Sequence, residues 1–71
     1  MNHDKYLVDL GNKIKRLRND LGYSQDELAE LIHSNRLAIF RIETGKVNSS
    51  IGRLRELAEV LKVELGDLVT L

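Results

Sequence analysis

Residues Ser24 to Lys46 read SQDELAELIHSNRLAIFRIETGK, and this stretch decides the fold. It spells two short helices joined by a tight turn. Ser24 is followed three residues later by Glu27, the reciprocal arrangement in which each side chain satisfies a free N–H at a helix start. Tyr23 before that cap and Leu28 inside the helix form the accompanying apolar staple. Leu28, Ala29, Leu31 and Ile32 then supply a stripe for a core. His33-Ser34-Asn35 breaks the pattern, and Asn35 caps a second helix. In that helix Ile39 and Ile42 share a face, and Gly45 stands where it should stop. Helices this short are not stable alone, so the flanking segments must provide a scaffold.

Upstream, Tyr6, Leu7, Leu10, Ile14, Leu17 and Leu21 recur at helical steps. A helix starts either as early as Asp4 or near Leu10 behind a flexible arm over residues 1–9, and Gly11 weakens it by roughly 1 kcal/mol relative to alanine. Its other face, with Lys13, Lys15, Arg16 and Arg18, is basic, and Gly22 terminates it. Downstream, Val47 to Ser50 connects to a helix capped by Ser50, with Ile51, Leu54, Leu57, Ala58 and Leu61 facing inward. Val63, Leu65, Leu68, Val69 and Leu71 form a last short helix or turn over the core. The expectation is an all-α, compact five-helix orthogonal bundle over residues 1–71, with motif helices at about 24–32 and 36–44.

At 71 residues the chain is one small domain, near the lower limit for an independent core. With 42% hydrophobic and 31% charged residues it reads as ordinary, soluble and globular. It has no cysteine, which excludes disulfides and thiolate metal sites. His3 with Asp4 is too sparse for a metal. No apolar run approaches the ~20 residues of a membrane span, so a cytoplasmic protein without membrane contact is expected. Nothing supports an enzyme: no Gly-rich phosphate loop, cysteine nucleophile or Ser/His/Asp set is present. No cofactor is implied.

Eleven basic residues balance 11 acidic ones, which is weak support for binding nucleic acid. The distribution is more informative. Over residues 35–55, Arg36, Arg41, Lys46, Arg53 and Arg55 stand against Glu43 alone, whereas over residues 56–71 Lys62 faces Glu56, Glu59, Glu64 and Asp67. Positive charge therefore gathers around the second motif helix. With Ile39 and Ile42 inward and roughly 100° per residue, Leu37, Phe40, Arg41 and Thr44 point away from the core, and Arg36 in the first turn also reaches outward. Arginine pairs bidentately with guanine in the major groove, while Leu and Phe meet only a thymine methyl.

Leu17-Arg18, Gly22, Ser24-Gln25, Glu27-Leu28-Ala29, Ile39, Arg41-Ile42-Glu43 and Gly45-Lys46, followed by Ser50, Leu57-Ala58 and Leu61, resemble the helix-turn-helix domain of the lambda Cro and phage-repressor (XRE) type. The match covers roughly Leu10 to Val69. The resemblance implies that the second helix enters the major groove while the first braces across the backbone. It places Arg36, Leu37 and Arg41 at base-reading positions, with Phe40 beside them. It implies phosphate contacts by Ser24, Gln25, Thr44, Lys46 and Asn48, and a structural ion pair between Arg18 and Glu43. Two departures matter. Many relatives carry proline where Ser49 stands, and relatives usually have polar residues where Leu37 and Phe40 stand. Those two side chains read T-rich DNA, pack on a partner protein, or fold back onto the core. His33 stands where relatives often have glycine.

The function this implies is a transcriptional regulator that binds double-stranded DNA. It would act as a homodimer on a palindromic operator and repress by occlusion or by contact with polymerase. Dimerisation is expected through Leu65, Leu68, Val69, Leu71 and the helix from Ile51. The alternative is an antitoxin-type module that binds a toxin or other protein and only secondarily DNA.

Overall fold

The computed structural model describes residues 4–71 and contains five α-helices, α1 (Lys5–Asp20), α2 (Gln25–Leu31), α3 (Arg36–Glu43), α4 (Ile51–Val60) and α5 (Leu65–Val69). Each start follows from a side chain that accepts orphan N–H groups. Asp4 takes Tyr6 and Leu7, Ser24 takes Glu27, Asn35 takes Ala38 and Ser50 takes Arg53. The Ser24–Glu27 box is complete, with Glu27 Oε1 accepting from Ser24 N at 2.7 Å. Only α5 lacks a side-chain cap at its start.

The four longer helices end alike. In each, the second residue after the helix turns left-handed and the next N–H reaches back to a carbonyl five residues earlier, as in Tyr23 to Arg18 at 3.1 Å and Lys46 to Arg41 at 2.9 Å. Gly22 and Gly45 adopt that conformation freely. His33 (φ 55°) and Lys62 (φ 63°) adopt it at the cost of crowding Cβ. The turn inside the motif is therefore made by a histidine.

Every helix sends one fully buried side chain to the centre: Ile14, Leu28, Ile39, Leu57 and Leu68. Burying each stabilises the fold by roughly 1.5–3 kcal/mol. α3 packs on α1 and α2, α4 on α5, and α5 returns to α1. α5 is tied there by polar contacts to its carbonyls. Tyr6 Oη donates to Val69 O at 2.6 Å, and Lys13 Nζ donates to Thr70 O at 3.0 Å and to Asp67 O.

Of the two starts open for α1 the earlier one is found, and three expectations, for Gly11, Leu31 and Ile51, are corrected. The chain from Lys5 onward is helical, so α1 occupies the segment for which a flexible arm was the alternative; residues 1–3, including His3, lie outside the described residues. Gly11 is not a weak point but a contact. A Cβ there would sit 2.6 Å from Glu43 O and closer still to Ile42 O, so α3 approaches α1 to a distance that only glycine allows. Leu31 is 46% exposed and Ile51 62% exposed, so neither faces the core. Both sit at helix ends, where the inward stripe has already rotated past the neighbouring helices. No helix among the described residues is long and apolar enough to cross a membrane.

Candidate nucleic-acid interface

The site is built around a buried ion pair. Arg18 of α1 meets Glu43 of α3 in a two-pronged contact, Nε to Oε2 at 2.6 Å and Nη2 to Oε1 at 3.1 Å. The side chains are only 8% and 2% exposed. The third guanidinium nitrogen, Nη1, donates to Tyr23 O at 2.8 Å. One arginine thus fixes α1, the end of α3 and the turn into α2. Such a fork matches a carboxylate in both charge and shape. Arg53 performs a similar tie on the other side. Its Nη1 donates to Ile32 O at 3.2 Å, linking α4 to the end of α2.

Gln25, the first residue of α2, extends the network to the surface. Its Nε2 donates to Glu43 Oε1 at 3.1 Å, and its Oε1 accepts from Arg36 Nε at 3.4 Å. Arg36 also lies 3.9 Å from Asp26, a solvated pair of little energetic weight. The Gln25 amide keeps one N–H free, so holding Arg36 does not prevent it from meeting a phosphate.

Beyond Arg36, α3 turns a continuous face to solvent. Leu37 is 55% exposed and Phe40 44% exposed, so neither folds back onto the core. Arg41 is exposed beside them. Lys46 Nζ stands 5.9 Å from the centre of the Phe40 ring, a cation–π contact that steadies both groups. Thr44 is half-buried, and its hydroxyl donates to Phe40 O at 2.7 Å. In this conformation that proton is not free for a phosphate. Ser24 accepts from Glu27 N and retains its own hydroxyl proton. Asn48 is exposed and shares a groove with Arg41, Ser49, Ser50 and Arg53.

The residues expected at a dimer interface separate. Leu71 is exposed and Leu65 and Val69 are half-buried, but Leu68 has no exposed surface. Leu68 is the core anchor of α5 and is withdrawn from the interface set. Among the described residues no group of three His, Asp or Glu side chains is arranged to hold a metal ion. Sequence reasoning missed the roles of Gly11 and Arg53 and the Gln25 link, because the partners of Arg53 and Gln25 lie 21 and 18 residues away.

Comparison with known proteins agrees with this geometry. The helix-turn-helix family model HTH_3 matches residues 14–68. The solved structure of the restriction-modification controller protein C.AhdI from Aeromonas hydrophila is 32% identical, with a TM-score of 0.87 over 92% of this chain and 98% of that one. A hypothetical transcription factor, NHTF, from Neisseria is 25% identical with a TM-score of 0.83, over 94% of this chain and 76% of its own. The clp gene regulator ClgR from Corynebacterium glutamicum shares the fold at 22% identity, with a TM-score of 0.86 over 96% of this chain and 72% of its own. A search of curated proteins found no match. With a braced α2–α3 pair, an outward α3 carrying two arginines and a family match over most of its length, the chain belongs to the XRE-type HTH_3 helix-turn-helix family and is a DNA-binding transcription regulator.

Proposed function

We propose that this protein is a cytoplasmic repressor that binds a palindromic operator as a homodimer, laying α3 in the major groove of each half-site. The observation that carries the reading is the outward face of α3, on which Arg36, Leu37, Phe40 and Arg41 stand exposed above a helix pinned by Arg18 and Glu43. The arginines suit guanine and the apolar pair suits thymine methyls. Ser24, Gln25, Lys46 and Asn48 flank this face and supply phosphate contacts that set register without reading sequence. Thr44 joins them only if its hydroxyl turns away from Phe40 O. Similarity to a restriction-modification controller supports control of transcription as the output, and occlusion of a promoter needs no further domain.

A symmetric operator requires two copies. The groove between α4 and α5, lined by Arg55, Glu56, Glu59, Val63, Glu64 and Leu65, is where a second copy of the chain would dock. Ile51 stands exposed one turn before Arg55 on the same face of α4. A two-fold axis there covers Ile51 and sets Arg55 of one protomer against glutamates of its partner.

The test is affinity for a site selected from random DNA, measured at two salt concentrations for Arg36→Ala, Leu37→Ala, Phe40→Ala and Arg41→Ala. Arg41→Ala should cost roughly 1–3 kcal/mol and relax preference at one base pair. If all four bind as the parent does, the major-groove reading fails. If only the two apolar variants bind normally while losing a protein ligand, an antitoxin-type partner on Leu37 and Phe40 takes its place.

A further inference from the structure

The outward face of α3 has a chemical peculiarity. Its four exposed side chains, Arg36, Leu37, Phe40 and Arg41, include two guanidinium donors and two hydrocarbons, and not one hydrogen-bond acceptor. Thr44, a turn further on, is half-buried and directs its hydroxyl proton to Phe40 O, while its oxygen can still accept. Gln25 Oε1, on the neighbouring helix, already accepts from Arg36 Nε.

None of these four side chains can accept the amino group of cytosine or adenine, which is how those bases announce themselves in the major groove. Guanine is read through its O6 and N7 acceptors. These four side chains read a pyrimidine through its C5 position alone. A methyl there meets Leu37 or Phe40, and a bare C–H leaves them in water. Thymine carries that methyl by nature. Cytosine carries the same group at the same place only when it is methylated at C5.

The arrangement along the helix sharpens the point. Arg36 and Phe40 lie one turn apart on one ridge, and Leu37 and Arg41 on the next, each pair spanning about 6 Å along the axis. Each ridge thus carries one guanine reader and one methyl reader. That spacing suits a methylated pyrimidine in the immediate neighbourhood of a guanine. Lys46 over the Phe40 ring keeps the ring at the groove side with an ammonium ready for the adjacent phosphate. Leaving two such hydrocarbons exposed is otherwise costly.

We infer that α3 recognises the C5-methyl group of a pyrimidine beside guanine, so that the protein distinguishes 5-methylcytosine from cytosine in its target. This rests on the major-groove reading of α3 and extends it to the methylation state of the DNA.

The experiment uses the wild-type chain and its best site selected from random DNA. Duplexes are made in which each thymine in turn becomes uracil and each cytosine in turn becomes 5-methylcytosine, and affinity is read by fluorescence anisotropy at fixed salt. At the contacted position, removing the thymine methyl should weaken binding about fourfold, the value of burying one methyl-sized group. Adding the methyl to cytosine beside a guanine should strengthen it by a similar factor. Leu37→Ala or Phe40→Ala, both surface changes, should abolish the difference between methylated and unmethylated duplexes at one position. Equal or weaker binding of the methylated duplex at every cytosine, with salt-dependent DNA binding intact, overturns this inference and leaves the major-groove reading standing. Absence of salt-dependent binding to any duplex overturns both.

Discussion

Glu43, the last residue of α3, accepts a hydrogen bond from Gln25, the first residue of α2, through the same Oε1 that receives Arg18 Nη2, both at 3.1 Å. The carboxylate that locks the helices together also orients the surface glutamine that holds Arg36. The packing of the helices and the placement of Arg36 are therefore joined at one oxygen.

The first consequence concerns stability. Arg18→Met strands a carboxylate that is 2% exposed, and breaking such a pair costs about 3–5 kcal/mol. For a domain this small that is a large part of the total. The double change Arg18→Met with Glu43→Leu removes the stranded charge and should recover part of the loss. Urea unfolding of the two single variants and the double variant measures the coupling, and strictly additive effects would show that the two residues act independently.

Gln25 should behave as more than a phosphate contact. Gln25→Ala removes a hydrogen bond worth about 0.5–1.5 kcal/mol and also frees Arg36 to wander. Binding should weaken on all sequences, and discrimination at the base pair that Arg36 is proposed to read should fall as well. A binding-site selection performed with the variant checks this. A uniform loss with the sequence preference unchanged would restrict Gln25 to the backbone.

Substitutions in α5 should separate folding from association. Leu68→Ala opens a cavity at a position with no exposed surface and should cost about 2–5 kcal/mol of stability. Leu65→Glu and Ile51→Glu, on the proposed symmetric face, should leave the helical circular dichroism intact and shift sedimentation toward the monomer. A dimer unaffected by both would move the two-fold axis elsewhere.

Gly11→Ala is a change that helix propensity alone would score as favourable by roughly 1 kcal/mol. Here the added methyl would overlap the carbonyls of Ile42 and Glu43. α3 would have to shift away from α1, at a cost of about 1–3 kcal/mol, and would carry Glu43 with it. Thermal unfolding should therefore show a lower midpoint, and a higher one would mean that the two helices are not in close contact.

The sequence by itself determined where α2, α3 and α4 begin and where α1 and α3 end. Ser24 with Glu27, Asn35, Ser50, Gly22 and Gly45 act on backbone groups three to five residues away, and interactions that short are written in the order of the letters. The spacing of Ile39 and Ile42 likewise determined which face of α3 is buried and so which residues it exposes. Tertiary structure alone decided the rest. Leu65 and Leu68 are the same residue type on one short helix, yet only the docking of α5 against α1 and α4 buries the second completely. Gly11 is a helix breaker until the carbonyls of Ile42 and Glu43 arrive beside it. Gln25 joins Glu43 to Arg36, and Lys13 reaches the end of α5, across 18 and 57 residues of chain. Contacts at such separation depend on how helices cross, which no local pattern of residues encodes.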